Sequence, residues 1–194
     1  MTKQSLGVEN LFPIHRPQIE PIDDNGPMLR DPSLIPLSHQ HQHALALCVR
    51  LDRALRAGGV NLGAWQMEVH EFYTNEVQFH FVAEEKVLFP AARCFSELAT
   101  LVDELIGEHQ RLRKHFTQAE QGTMDQGELE AFGKLLTGHI RKEERQLFEA
   151  IQSKMQLGEL KSLGAELSRA LEDAVQACRF GMRRGEEDRS GPTR

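Results

Sequence analysis

Residues 80–89 read HFVAEEKVLF, and residues 139–148 read HIRKEERQLF, so both stretches share the pattern HxxxEExxLF. A shorter correspondence precedes each stretch, because residues 40–42, QHQ, match residues 108–110, EHQ. The middle of the chain is therefore organised as two copies of one unit. Each copy carries a leading histidine and then the HxxxEE pattern.

Helical geometry explains the spacing of histidine and glutamate within each copy. Four residues of an α-helix turn by about 400° and rise by about 6 Å, so His80 and Glu84 point from one face as neighbours. The same relation holds for His139 and Glu143. The two faces are otherwise rich in apolar residues, namely Tyr73, Val77 and Val87 in the first copy and Phe132, Leu135, Leu136 and Leu147 in the second. Both pairs are therefore predicted to point into the core.

The leading histidines, His41 and His109, also lie on apolar stripes. A carboxylate buried on such a stripe is costly unless it is paired, hydrogen-bonded or bound to a cation. Four histidines and two carboxylates are predicted to converge from four helices. A bound metal ion is the simplest way to offset the cost of burying these carboxylates. Mixed imidazole and carboxylate ligands suit iron, manganese or zinc.

Prolines and glycines along the chain predict where the helices begin and end. Six prolines from Pro13 to Pro36 rule out a continuous helix and favour an extended arm over residues 1–36. Beyond it, breaks occur at Gly58-Gly59, at Pro90, around Gly122 and at Gly158. They predict helices over residues 38–57, 62–89, 96–120, 126–154 and 159–181. The last helix belongs to an amphipathic segment over residues 155–182, and residues 183–194 are expected to be disordered.

No alternating segment rich in β-branched residues interrupts this pattern, so the fold is predicted to be all-α. Short loops between long amphipathic helices predict an up-and-down antiparallel four-helix bundle over residues 37–154. The fifth, C-terminal helix either covers this bundle or mediates a dimer. The protein is accordingly expected to be a monomer or a homodimer.

Composition excludes several classes of partner. The net charge is −6 and the basic residues are dispersed, so no nucleic-acid partner is expected. No apolar run approaches the roughly 20 residues that span a bilayer, and the N-terminus has no hydrophobic signal core, so no membrane association is expected. Three cysteines are too few and too scattered for a disulfide framework. These features together favour a cytoplasmic location.

At the repeated motif the chain resembles the hemerythrin-like, HHE cation-binding family over about residues 37–154. The resemblance implies an up-and-down bundle that holds a carboxylate-bridged di-iron centre, with manganese or zinc as possible replacements. It implies that the ligands are His41, His80, Glu84, His109, His139 and Glu143. It also implies that the centre binds or senses dioxygen, peroxide or nitric oxide, or that it holds iron. The alternative function is an enzyme, namely a di-iron oxidase, a peroxidase or a nitric-oxide reductase.

Two departures from the classical oxygen carriers of this family matter. The carriers have a further histidine one turn after the third-helix ligand, and here that position is Arg113. We expect Arg113 to pair with a nearby carboxylate, such as a bridging glutamate or Glu144, which leaves one metal short of a ligand and disfavours reversible oxygen carriage. The last carboxylate of the carriers lies five residues after its histidine, which would select Glu144, whereas the internal repeat favours Glu143. Glu85 and Glu144 are otherwise expected either to orient ligands or to face solvent.

Other interpretations of the histidines remain open at this point. His39 and His43 are four residues apart and could form their own metal-binding pair. His70 and His115 are expected to lie away from the centre. A purely structural helical protein would leave all the histidines without a metal. A ferritin-like di-iron protein is disfavoured because no glutamate stands three residues before a histidine.

Overall fold

The computed structural model of the protein describes residues 29–187, which contain five long helices and no strand. The prediction of an all-α fold is therefore confirmed for this part of the chain. Helix α1 spans Ile35–Ala57, α3 spans Ala99–Gln121 and α5 spans Leu157–Glu187. The other two helices contain π-helical turns. Helix α2 consists of Leu62–Phe72, Tyr73–Val77, Gln78–Ala83, Glu84–Leu88 and Phe89–Arg93, and α4 consists of Gln126–Lys142, Glu143–Leu147 and Phe148–Lys154.

Local sequence explains where several of these helices begin and end. Helix α1 ends at Gly58, and both Gly58 and Gly59 have positive φ values, of 75° and 70°, which glycine adopts without steric cost. Gly122 closes α3 in the left-handed conformation. Asp125 starts α4 with a capping box, because its side chain accepts from the Glu128 N–H while the Glu128 side chain accepts from the Asp125 N–H.

Several helix boundaries differ from those predicted. Helix α1 begins at Ile35, so Pro36 lies inside its first turn, where a proline lacks no helical hydrogen bond. Helix α2 continues through Pro90 to Arg93 instead of stopping at residue 89. The Phe89 N–H donates to the Glu84 carbonyl, five residues back, so the α-helical ladder is already interrupted where the proline would break it.

The break before α5 also differs in position. It falls at Met155, whose ψ of 141° is extended, and Gly158 lies in the first turn of α5. Helix α5 then continues to Glu187, beyond the predicted end of the segment at residue 182. Most of the predicted arm, residues 1–28, and the last residues of the predicted tail, 188–194, lie outside the described residues.

The core consists of two apolar clusters on either side of the histidines and glutamates. One cluster contains Leu88, Phe89, Leu147 and Phe148 and is closed by Leu160, Leu163 and Leu167 of α5. The other contains Val69, Phe81, Phe116 and Phe132. The apolar stripe of α5 thus covers α2. None of the helices in the described part of the chain combines the length and the hydropathy that a membrane crossing needs.

Candidate metal centre

All six residues that the sequence predicts as ligands meet in the interior between α1, α2, α3 and α4. The exposed fraction of every one of them is 5% or less, and for both glutamates it is zero. The residues are His41, His80, Glu84, His109, His139 and Glu143. They form two groups of four, which share the two glutamates.

The first position lies between α1 and α2, at His41 and His80. Their Nε2 atoms are 3.0 Å apart. Glu84 Oε1 lies 3.0 Å from His80 Nε2 and 3.8 Å from His41 Nε2, and Glu143 Oε2 lies 3.1 Å from His41 Nε2. The four ligand atoms of this group all lie within 4.8 Å of one another.

The second position repeats this arrangement at His109 of α3 and His139 of α4. Their Nε2 atoms are 3.1 Å apart. Glu84 Oε2 lies 3.3 Å from His109 Nε2, and Glu143 Oε1 lies 3.4 Å from His139 Nε2. Each glutamate therefore offers one oxygen to each position, which is the geometry of two bridging carboxylates.

Both bridging glutamates begin a π-helical turn. The turns span Glu84–Leu88 and Glu143–Leu147, so the two copies of the sequence repeat also share one irregularity of the backbone. Single π-turns inside α-helices occur frequently at functional sites. Here each turn lets two consecutive glutamates act in different places. Glu84 reaches the centre of the cluster, while Glu85 reaches His109 from the outside.

Each of the four histidines has a hydrogen-bond partner at Nδ1, the ring nitrogen that faces away from the cluster. The pairs are His41 with Glu144 at 2.7 Å, His80 with Gln40 at 2.9 Å, His109 with Glu85 at 2.8 Å and His139 with Glu108 at 3.0 Å. Oxygen atoms at these distances accept from Nδ1–H. The Nε2 lone pair of each neutral ring is thereby directed at the cluster, as in histidines that bind metals.

No lysine or arginine of the described residues reaches the interior of the cluster. None of the four carboxylate oxygens of Glu84 and Glu143 receives a hydrogen bond, although all four are buried. In neutral rings the Nε2 lone pairs of each histidine pair would also face one another across about 3 Å. A divalent cation in each position would bind the carboxylate oxygens and accept the Nε2 lone pairs, so this donor set fits two metal ions.

Protonation of the histidines can supply part of the positive charge that these carboxylates lack. Burial disfavours the imidazolium of His41, but the carboxylates of Glu143 and Glu144, 3.1 and 2.7 Å from its ring nitrogens, outweigh burial and raise its pKa to about 10. Burial likewise opposes the charge of His109, yet Glu84 and Glu85 raise its pKa to about 9. The cluster is therefore built to attract positive charge.

Arginines neutralise the two glutamates that follow the bridging pair. Arg113 Nη1 lies 2.7 Å from Glu85 Oε1, and its guanidinium lies over the Phe81 ring. Arg113 thus pairs with a nearby carboxylate, as predicted, but the partner is Glu85 instead of a bridging glutamate or Glu144, because Glu85 of the neighbouring helix is within reach and the bridging oxygens are enclosed by histidines. Arg30, in the segment before α1, pairs with Glu144 in the same way, with its Nη2 2.7 Å from Glu144 Oε2.

Several residues lie outside the cluster. His39 and His43 are exposed, and His43 contacts Glu76 at 2.9 Å instead of forming a pair with His39. His70 is partly exposed and belongs to neither group of ligands. His115 is half-buried against Phe132 rather than solvated, and burial lowers its pKa.

The sequence reasoning missed Gln40, Glu108 and Arg30. Gln40 and Glu108 precede the leading histidines in the two copies of the repeat, so the repeat itself was the signal that could have found them. Arg30 lies in the proline-rich segment, where no periodicity relates it to the cluster.

An apolar cavity adjoins the first position. It leaves about 20 Å³ for the centre of a water-sized molecule, and His41, His80 and His139 reach its wall. The rest of the lining is largely apolar and includes Ala44, Phe72, Val77, Phe81, Leu136 and Ile140. A cavity of this size has room for a molecule about as large as water.

Comparison with known families gives one match. The model of the hemerythrin HHE cation-binding domain matches residues 36–151, which is more than half of the chain and includes all six clustered residues. A comparison with curated proteins and with solved structures finds no match. The family and the paired histidine–glutamate groups both indicate metal binding, and the chain belongs to the hemerythrin HHE cation-binding family.

Proposed function

We propose that this protein holds two iron ions in the two positions and binds a small ligand such as dioxygen, peroxide or nitric oxide beside them. The observation that carries the proposal is the pair of buried glutamates, Glu84 and Glu143, each of which offers one oxygen to each histidine pair. Carboxylates that bridge two metals are typical of non-haem di-iron centres. Manganese or zinc could use the same donors.

The donor count favours a reactive centre. Each position has two imidazoles and one oxygen from each shared carboxylate, and Arg113 cannot add a further ligand because its guanidinium stays protonated. Bound iron would supply a redox-active cation with coordination positions left for an external ligand. The residues of the chain hold the cations, and the partners at Nδ1 fix the orientation of each ring.

The surroundings favour a small and weakly polar ligand. Phe81 stacks on His109 with ring centroids 3.7 Å apart, and Phe148 stacks on His41 at 5.5 Å. These rings exclude bulk water from the cluster. The cavity lined by His41, His80 and His139 has room for a molecule about as large as water, a size that suits a small ligand.

We also propose that α1 to α4 form an up-and-down bundle. Contacts between successive helices support this direction, because residue numbers rise along one helix as they fall along its neighbour. Such contacts join Arg50 to Glu68 and His41 to His80, Arg113 to Glu85 and Asp103 to Arg93, and Gln118 to Glu128 and Glu104 to Lys142. Short connections between the helices agree with antiparallel neighbours.

Metal analysis and anaerobic spectroscopy test this function together. Protein purified without a histidine tag is expected to contain, or to take up as ferrous iron, about two ions per chain. Dioxygen, peroxide and nitric oxide, added in turn to the di-ferrous protein, should each be screened for a change in the absorbance of the centre. Protein that is metal-free and takes up no ferrous iron would contradict the proposal. Catalytic consumption of one ligand would identify an enzyme instead of a binding protein.

A further inference from the structure

We infer that the two metal positions are unequal, and that the second position, at His109 and His139, binds its cation more tightly because Glu108 stands there where Gln40 stands at the first. This inference rests on the proposed di-metal function. It concerns positioning residues outside the ligand set, and it predicts which position is occupied first.

The two halves of the centre match in their ligands, and among the partners at Nδ1 they differ in charge at one pair of residues. Gln40 Oε1 lies 2.9 Å from His80 Nδ1, and Glu108 Oε2 lies 3.0 Å from His139 Nδ1. The two side chains thus bind equivalent rings at nearly the same distance. One of them is a neutral amide and the other is a carboxylate.

The other partners at Nδ1 do not create a difference of this kind. Glu144 serves His41 and Glu85 serves His109, so each position has one carboxylate in this role. Each of these carboxylates also has an arginine at 2.7 Å, Arg30 for Glu144 and Arg113 for Glu85. Ser38 Oγ also donates to Glu144 Oε1 at 2.7 Å, but this contact is neutral. The charges of these partners are therefore matched between the positions, which leaves Gln40 and Glu108 as the difference in charge.

Neighbouring cations do not take the place of His139 at the Glu108 carboxylate. Lys142 Nζ lies 2.7 Å from Glu108 Oε1, whereas His139 Nδ1 lies 3.0 Å from Oε2, so the oxygen that faces the ring has no lysine contact. Arg111 is farther, at 3.6 Å, and its side chain is 60% exposed, so solvent screens it. The Glu108 side chain is only 10% exposed, which keeps its charge effective at the imidazole.

An anionic acceptor at Nδ1–H makes the imidazole a stronger donor through Nε2. His139 is therefore a stronger metal ligand than His80, and the second position has the higher affinity for a divalent cation.

Single-position variants separate the two affinities. His80→Ala removes a ligand of the first position and His139→Ala removes a ligand of the second, so each variant is expected to retain one ion. Each metal-free protein is titrated anaerobically with ferrous iron against a competing chelator. We expect the ion retained by His80→Ala to bind about 10-fold more tightly than the ion retained by His139→Ala, since changes in such outer partners typically alter metal affinity by about 10- to 100-fold.

Exchanging the amide of Gln40 and the carboxylate of Glu108 then tests whether these two residues cause the difference in iron affinity. Glu108→Gln is expected to weaken the ion retained by His80→Ala about 10-fold and to leave the ion retained by His139→Ala unchanged. Gln40→Glu should tighten the ion retained by His139→Ala by a similar factor. Glu104→Gln is the matched control, because it removes the same charge beside Lys142 without touching a histidine, and it should change neither affinity. Each amide or carboxylate already occurs at the equivalent site, so these variants should fold.

The outcomes distinguish this inference from the function on which it rests. If the unmutated protein takes up no ferrous iron, the di-metal function itself fails. If it takes up two ions but Glu108→Gln leaves the His80→Ala affinity unchanged, the inference is overturned and the di-metal function stands. An equal loss from Glu104→Gln would also overturn it, because the effect would then be one of general charge.

Discussion

Each of the four histidines of the cluster is fixed at both ring nitrogens, and this double contact separates them from the other histidines that the structure describes. Nε2 faces a shared carboxylate or a second imidazole, and Nδ1 faces an outer partner. The repeat predicted which residues would meet, because helical spacing fixes the direction of neighbours on one helix. It did not predict the partner of Arg113, because that contact depends on how two helices are rotated against each other.

Loss of either motif histidine should remove metal. We expect His80→Ala and His139→Ala each to lose at least one of two iron ions, because each removes one of the two imidazoles at its position. His70→Ala is the control, since His70 belongs to neither group of ligands, and it should keep both ions. Elemental analysis of iron per chain measures the loss in each variant. Equal loss of iron from His70→Ala would show that the ligand set is wrong.

Arg113 offers a second test at this scale. We expect air to oxidise the di-ferrous protein without reversible uptake of dioxygen, because no further imidazole completes the second position. Arg113→His should shift the protein toward reversible uptake, whereas Arg113→Leu, which also loses the contact to Glu85, should not. Stopped-flow absorbance during addition and removal of oxygen measures this difference. Reversible uptake by the unmutated protein would contradict the expectation.

At the scale of the helix, hydrophobic periodicity predicted the five elements, while their irregularities were not accessible from it. A π-turn adds one residue to a single turn, and a pattern summed over many turns conceals such an addition. Pro90 was interpreted as a helix end because proline ordinarily breaks the α-helical ladder. The π-turn Glu84–Leu88 precedes Pro90 and already interrupts the α-helical hydrogen bonds, so the helix continues through the proline.

The capping box at the start of α4 makes a prediction about stability. Asp125→Ala should lower the free energy of unfolding by about 1 kcal/mol, because the first-turn N–H of Glu128 loses its acceptor. Urea denaturation of the metal-free protein measures this change. Asp52→Ala removes an exposed aspartate within α1 that pairs only with Arg56, and it should cost less than about 0.5 kcal/mol. Equal costs for the two variants would contradict the assigned cap.

For the whole molecule, the buried carboxylates link stability to metal. Cations that bind only the folded chain stabilise it, by about 2.7 kcal/mol for one site at a free concentration 100 times its dissociation constant. We therefore expect removal of metal to lower the midpoint of thermal unfolding, and added ferrous iron to restore it. The double variant His80→Ala/His139→Ala should show no such response. An unfolding midpoint that is independent of metal in the unmutated protein would contradict this linkage.

The matched halves of the centre are related as the subunits of a twofold dimer would be, each giving one histidine pair and one bridging glutamate. In a true homodimer every substitution would appear twice, so a glutamine opposite a carboxylate could not arise. Because both halves belong to one polypeptide, each can mutate alone. The contrast of Gln40 with Glu108 is thus a broken symmetry that covalent linkage permits, and it allows the two halves of one chain to hold their cations differently.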